Sequence, residues 1–180
     1  NDHIDIVNDP EISVVLPVFN GASTLSDSIN SVLGQTFENF ELLIVDDGSD
    51  DRKMDELLSA LSASDKRIKL IRQSNSGITG ALVNACQRAK GKYLARIDNG
   101  DCMSKSRLLL QYEYLEKFPD CVLLSSSTKF FDPNWEYLYT VNGIPESDSP
   151  SWAKPSDAPN GVNADISHHG SVMIRCSAYE

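Results

Sequence analysis

Phe40-Glu41-Leu42-Leu43-Ile44-Val45-Asp46-Asp47-Gly48-Ser49 is an apolar run that breaks abruptly into two acids and a turn signal. The apolar part predicts a buried strand. Asp-Gly is favoured in turns, and Ser49 or Asp50 can cap a following helix. An Asp at a strand's carboxyl end is also placed to accept hydrogen bonds from a base or ribose. Both readings hold together if Gly48 and Ser49 turn the chain while Asp47 faces a ligand. Two acids at a buried strand end are costly if only a turn is needed.

The same alternation extends in both directions. Upstream, Ile12-Ser13-Val14-Val15-Leu16 predicts a strand stopped by Pro17. A helix comes next, capped by Ser23 or Thr24, with one face at Leu25, Ile29, Val32 and Leu33, and an end at Gly34. Downstream, Met54, Leu57, Leu58 and Leu61 mark a second helix, and Ile68–Ile71 a third strand. Ile78, Leu82, Ala85, Cys86 and Ala89 mark a third helix closed by Gly91. Tyr93–Ile97 predicts a fourth strand, which ends in Asp98-Asn99-Gly100-Asp101. Leu108, Tyr112 and Leu115 give a fourth helix that stops before Pro119, and Cys121–Leu124 a fifth strand. This order predicts an α/β fold: a doubly wound, mainly parallel sheet with helices on both faces, in a single domain over 12–180. Such sheets bind ligands beyond the carboxyl ends of their strands. That rule gathers Phe19, Asn20, Asp46, Asp47, Ser74, Asn75 and the Asp98–Asp101 segment at one rim.

The chain has 180 residues, 41% of them hydrophobic and 23% charged, with a net charge of −10. Those values describe one soluble, globular domain. The acidic balance excludes a nucleic-acid partner, which needs a basic face. It leaves room for a single nucleotide, because one metal ion or a few backbone N–H groups can hold a diphosphate. Cys86, Cys102, Cys121 and Cys176 show no two-residue gap of a zinc or redox motif. They read as small buried hydrophobes in a reducing compartment. No run approaches the ~20 apolar residues of a membrane span. Residues 1–11 form a polar leader unlike a signal peptide, and the missing initiator Met suggests an excised piece. Beyond Lys129, Phe130, Phe131, Trp135, Tyr137, Tyr139 and Trp152 crowd together. Residues 146–163 read as a long flexible loop, and Val172–Ile174 as a short strand after His168-His169.

Asp98 and Asp101 can supply oxygen ligands to Mg²⁺ or Mn²⁺, which in turn bridges phosphates. The alternative is a turn in which Asp101 or Ser104 caps the next helix. Asn75-Ser76-Gly77 opens a helix, where N–H groups favour anions. The absence of G-x-G-x-x-G and Walker A motifs argues against dehydrogenases and P-loop hydrolases. Adjacent strand residues face opposite sides, which argues against His168 and His169 sharing a metal; one can ligate a metal or a phosphate while the other packs, the alternative being a lone histidine satisfied within the fold.

Five ordered segments together resemble the GT-A family 2 glycosyltransferases: Val14–Asn20, Ser31–Phe37, Phe40–Ser49, Asn75–Ile78 and Gly91–Asp98. The similarity runs from Ile12 to about Phe131 and returns at Ile166–Tyr179. It implies transfer of a sugar from a nucleotide diphosphate, a UDP-sugar foremost, to a saccharide or lipid-linked acceptor, with inversion. By this resemblance Pro17 and Phe19 lie along the nucleoside, with Asn20 alongside. Asp47 accepts from the base with Asp46 beside it, and Asn75 and Gly77 contribute to the same pocket. Asp98 opens the metal and phosphate motif, with Asp101 and His169 as further ligands of Mg²⁺ or Mn²⁺. The family pattern is Asp-x-Asp-Asp, and here its third place is Gly100. The family's base lies beyond a Gly-Gly-Tyr-like segment that this chain does not reach, so no catalytic base is named, and poor turnover is expected. The resemblance further implies bacterial surface polysaccharide synthesis in the cytoplasm, at the inner face of the membrane, with peripheral membrane association. Two rivals remain. One is a donor-binding domain without catalysis, motivated by Gly100. The other is a phospho-acceptor receiver domain, which would place its acid pair after the first strand rather than the second.

Overall fold

In the computed structural model, which describes residues 9–141 and 169–178, the strand–helix alternation is present. It runs β1 (Ile12–Val18), α1 (Ala22–Leu33), β2 (Phe40–Asp46), α2 (Arg52–Ser64), β3 (Ile68–Arg72), α3 (Gly77–Cys86), β4 (Tyr93–Arg96), α4 (Arg107–Lys117) and β5 (Leu123–Leu124). A hairpin, β6 (Thr128–Phe131) and β7 (Tyr137–Val141), comes next, and then β8 (Met173–Arg175). Most of the expected leader, the 146–163 loop, Trp152 and His168 lie outside the described residues.

The main sheet has the order β3-β2-β1-β4-β8-β5. Its first four strands are parallel, and β8 runs antiparallel to both neighbours. The two faces bury different sets. Ile12, Val14, Leu16, Leu42 and Ile44 pack against α1, α2 and α4 through Leu25, Ile29, Met54, Leu58, Leu108 and Leu115. Val15, Leu43 and Val45 pack against α3 through Ala81 and Ala85. Burial on both faces explains why these strands read as unbroken apolar runs.

Several boundaries differ from expectation. Pro17 does not stop β1, which continues to Val18 with Pro17 opposite Val45. Successive residues of β1 aim alternately at its two neighbours: Val18 O accepts from β2's end, and Val15 O from Ile97. Pro17 therefore directs its missing donor toward β4, whose pairing with β1 has already ended at Arg96. Ser23 and Thr24 lie within the first turn of α1, and Gly21 takes the cap position without a side-chain bond. Asp51, rather than Ser49 or Asp50, caps α2 by accepting from Lys53 N–H. The third helix ends at Cys86, short of Ala89, and Ile78 is exposed. The fifth strand shrinks to two residues, and β8 begins one residue later than expected. Of the cysteines, Cys121 is buried, Cys86 and Cys176 half-buried, and Cys102 exposed; none is in a disulfide.

Neither Asp101 nor Ser104 caps α4, and Ser106 at its cap position makes no side-chain cap bond. One donor of this helix's first turn, Leu108 N–H, is met from a distance, while Arg107 N–H donates to nearby Ser104 O. Gln35, buried just past α1, accepts from Leu108 N–H at 3.0 Å. It also donates to Ser104 O at 2.8 Å and Ser31 O at 3.0 Å. Replacing Gln35 by Leu would strand a buried N–H and a carbonyl, at about 1–3 kcal/mol. Thermal denaturation of Gln35→Leu is expected to show a loss on the order of 2–4 °C per kcal/mol for a chain of this size. An unchanged midpoint would remove this clasp from the account.

Candidate functional site

The parallel register sets the rim. Asp47 N–H donates to Val18 O, Gln73 N–H to Asp46 O and Ile97 N–H to Val15 O, so β1 to β4 end side by side. In the order β2-β1-β4, Asp47 and Asp98 flank Phe19 and Asn20 across two strand spacings, about 10 Å.

Asp47 is almost wholly buried, and three donors meet its Oδ1: Gln73 Nε2 at 2.7 Å, Ser76 N–H at 2.8 Å and Ser76 Oγ at 3.3 Å. Burial pushes its pKa up, but these bonds and Gly77 N–H outweigh it, so the carboxyl lies below its ordinary value of 3.8. The N–H groups that open α3 thus serve an internal carboxylate rather than an outside anion. Asp46 accepts from Ser49 N–H at 3.0 Å. A Cβ at Gly48, whose φ is +79°, would come within 2.7 Å of Asn75 N, so this turn needs glycine for both conformation and approach. Asn20, at φ 50°, donates its N–H to Ser49 Oγ and accepts from Asp50 N–H. Phe19 stands 53% exposed at the rim, whereas Pro17 is buried inside the sheet. Asn75 and Gly77 are exposed on the loop into α3.

Both oxygens of Asp98 are engaged by Arg96, through Nε at 2.8 Å and Nη2 at 3.1 Å. The following loop is held by the polar side of α1: Ser28 Oγ accepts from Gly100 N–H, and Ser31 Oγ from Met103 N–H. From the other side, buried Arg107 donates to Arg96 O, Gly170 O and Val172 O, while Gln111 donates to Ser171 O. Burial pushes the Arg107 guanidinium down to about 10, partly offset by Asp101 and Asp98, so it stays charged at neutral pH. His169 is exposed at the start of a short 3-10 turn beside this knot. A cavity of about 510 Å³ opens here, lined among others by Asp101, Arg107, Ser126, Lys129 and Phe131.

The expected residues therefore gather at one rim, except Pro17, which the strand encloses. Ser28, Ser31, Gln35, Arg107 and Gln111 carry no assignment from the sequence. Gln35 sits in the Ser31–Phe37 segment that carries the resemblance, so its place in that segment is the available signal. Arg96 and Asp98 are two residues apart at a strand end, a spacing that puts side chains on one side.

The model of Glycosyl transferase family 2 matches residues 13–180. The chain belongs to that family. An uncharacterized glycosyltransferase of Rickettsia conorii is 39% identical over 112 residues, which are 62% of this chain and 18% of that protein. Among solved structures, S. aureus TarS 1–349 in complex with UDP has TM-score 0.63 at 18% identity, over 93% of this chain and 47% of that one. A mannosyltransferase from Pyrobaculum calidifontis in complex with GDP-Man and Mn²⁺ has TM-score 0.60 at 18% identity, over 71% and 37%. At these identities the likeness shows the fold, the mainly parallel sheet of the GT-A enzymes. The chain spans about a fifth of the length of the Rickettsia family member.

Family 2 membership implies a divalent metal, and the residues in place do not fit one. Asp98 is closed by Arg96. Position 100 carries no side chain and has φ +97°, a left-handed backbone that disfavours the family's carboxylate there. Among the described residues no three His, Cys, Asp or Glu are grouped to hold an ion.

This geometry has two measurable outcomes. A carboxyl with a depressed folded pKa adds stability above its unfolded value, near 3.8 for Asp47, and that stability is lost as pH falls below it. Asp65, held by Arg67, and Glu116, held by Lys92 and Tyr93, act in the same direction. Thermal midpoints should drop below about pH 4, less steeply in Asp47→Asn; equal slopes would take Asp47 out of the acid transition. Arg96→Met frees the Asp98 carboxylate, so Mn²⁺ should raise the midpoint of the variant more than that of the parent. Equal Mn²⁺ effects would show that Arg96 does not block the ion.

Proposed function

We propose that the chain moves a sugar from a nucleotide diphosphate, a UDP-sugar foremost, to the hydroxyl of a saccharide or lipid-linked acceptor, with inversion at the transferred carbon. The observation that carries this is the placement of Asp47 and Asp98 on either side of Phe19–Asn20 at one sheet edge. The UDP complex of TarS and the GDP-Man complex of the archaeal neighbour support the donor class.

In this reading the Phe19 ring lies along the nucleoside, and Asp47, held ionised by its internal donors, meets the base. Asn20 and the Asn75–Gly77 loop wall that end. Asp98, Asp101 and Arg96 face the diphosphate end. The acceptor oxygen bonds to the anomeric carbon, the carbon–diphosphate bond breaks, and the nucleoside diphosphate leaves with the electron pair. The acceptor's proton passes to a base that is not assigned to a residue of this chain. Mg²⁺ or Mn²⁺ is supported by the family and by the archaeal Mn²⁺ complex, and the closed Asp98 argues against a preformed cage for it. That closure also favours a second reading, donor binding without catalysis. Release of UDP from a UDP-sugar only when acceptor is added separates the two.

Surface polysaccharide synthesis at the inner face of a membrane, with peripheral attachment, completes the proposal. No helix of the described residues is long and apolar enough to cross a membrane.

UDP at a hundredfold excess over its Kd is expected to stabilise the fold by about 2.7 kcal/mol, a midpoint rise of about 5–10 °C. The rise should survive chelation of divalent ions. No shift with UDP, GDP or dTDP, with or without Mn²⁺, would overturn the proposal.

A further inference from the structure

The β6–β7 hairpin forms a two-stranded sheet of its own, not paired to the main one. On it, Phe130 and Tyr139 stack across the strands with centroids 4.6 Å apart. Phe131, Trp135 and Tyr137 make a second aromatic group, with centroids 6.0 and 6.1 Å from Phe131. Trp135 is 66% exposed, Tyr137 58% and Phe131 43%. Trp135 also sits at φ 65°, a left-handed backbone that bulky side chains avoid. The loop enforces it. Asp132 accepts from the N–H groups of Asn134 and Glu136 through one carboxylate oxygen, and Trp135 N–H donates to Asp132 O. The tip is thus built to hold an indole in solvent, in a conformation Gly or Asn would take more readily.

We propose that this aromatic edge is a saccharide acceptor platform: a pyranose ring stacks on Phe131 and Trp135, with its hydroxyl rim directed into the adjoining cavity. The inference rests on the donor reading above and names the acceptor side of the same site. Phe131 is shared by the platform and the cavity, and the cavity reaches Asp101 at the end of the β4 loop. Its wall carries Ser126, just before the hairpin, and Thr128 and Lys129 on β6, donors and acceptors for sugar hydroxyls. A pyranose has that same division: apolar C–H faces and a polar rim. The cavity's volume of about 510 Å³ falls in the small-ligand range.

The test is calorimetric titration of the UDP-saturated chain with cellotetraose, chitotetraose and a hyaluronan tetrasaccharide. At least one should bind, and Phe131→Ala and Trp135→Gly should each weaken it about tenfold or more, with the UDP-induced midpoint shift unchanged. Gly accepts the left-handed backbone of position 135, so this variant keeps the loop while removing the ring. Failure of all three sugars to bind, or equal affinity in the variants, with the UDP shift intact, overturns the platform alone. A missing UDP shift in the parent chain sinks the donor reading instead. Self-association that Trp135→Gly abolishes would assign the edge to contact between copies and also overturn the proposal.

Discussion

Everything at the rim depends on β1 being paired in parallel with both β2 and β4. All seven residues of β1 are buried, and a one-residue slip would swap its faces, taking Ser13, whose hydroxyl donates to Glu41 and accepts from Gly91 N–H, into the place of apolar residues. Parallel pairing then fixes where each neighbour ends. The bonds from Asp47 to Val18, from Gln73 to Asp46 and from Ile97 to Val15 close the ladder at one level. The residues just past each strand are consequently delivered to one place: an exposed Phe, a buried acid pair, a loop that opens a helix, and the Asp98 loop. Four stretches that are remote in the chain become neighbours for a reason that is wholly backbone geometry.

Keeping them there requires a second layer of interactions. Helix α1 is divided lengthwise. Leu25, Ile29 and Val32 enter the core, while Ser28, Ser31 and the following Gln35 present oxygen and amide groups to the loop and helix after β4. Arg107 and Gln111 of α4 do the same for the turn at His169–Ser171. Each of these groups is satisfied by backbone partners, and removing one leaves a buried donor or acceptor with nothing to meet. That asymmetry makes the loops stiff: a buried polar bond adds little net stability when made and costs more when broken.

The alternating architecture is legible in the sequence because each strand is buried on both faces and each helix repeats its apolar residues on one side. Those are local signals. The features that escape the sequence share a different origin. Gln35 and Leu108 are 73 residues apart, and no periodicity links them. Asp50 and Asp51 are equally good caps by type, so only the backbone decides between them. Pro17 is tolerated in a central strand because β4's pairing has already ended where its N–H would have pointed, a fact about the neighbour rather than about Pro17. The site acids are legible from their position after strands. Their internal partners are not, because carboxylates at strand ends look alike whether they await a ligand or already hold a loop.

Those partners change what the rim offers electrostatically. In the donor reading proposed above, a diphosphate would bring its negative charge toward a chain of net charge −10 and a rim bearing Asp46, Asp47, Asp98 and Asp101. Bare, that rim would repel the ligand, and a metal ion would be the obvious remedy. It is not bare. Asp47 is compensated by Gln73, Ser76 and Gly77, Asp46 by Ser49 N–H, and Asp98 by the Arg96 fork. Arg107, buried behind the loop, sets its charge against Asp98 and Asp101. Arg96 is the pivotal member, since it is only partly buried and its guanidinium neutralises the very carboxylate that a cation would otherwise need. While that fork is closed, Asp98 offers an incoming cation no free oxygen. A cation would have to take Asp98 from Arg96, whose Nε and Nη2 already occupy both carboxylate oxygens.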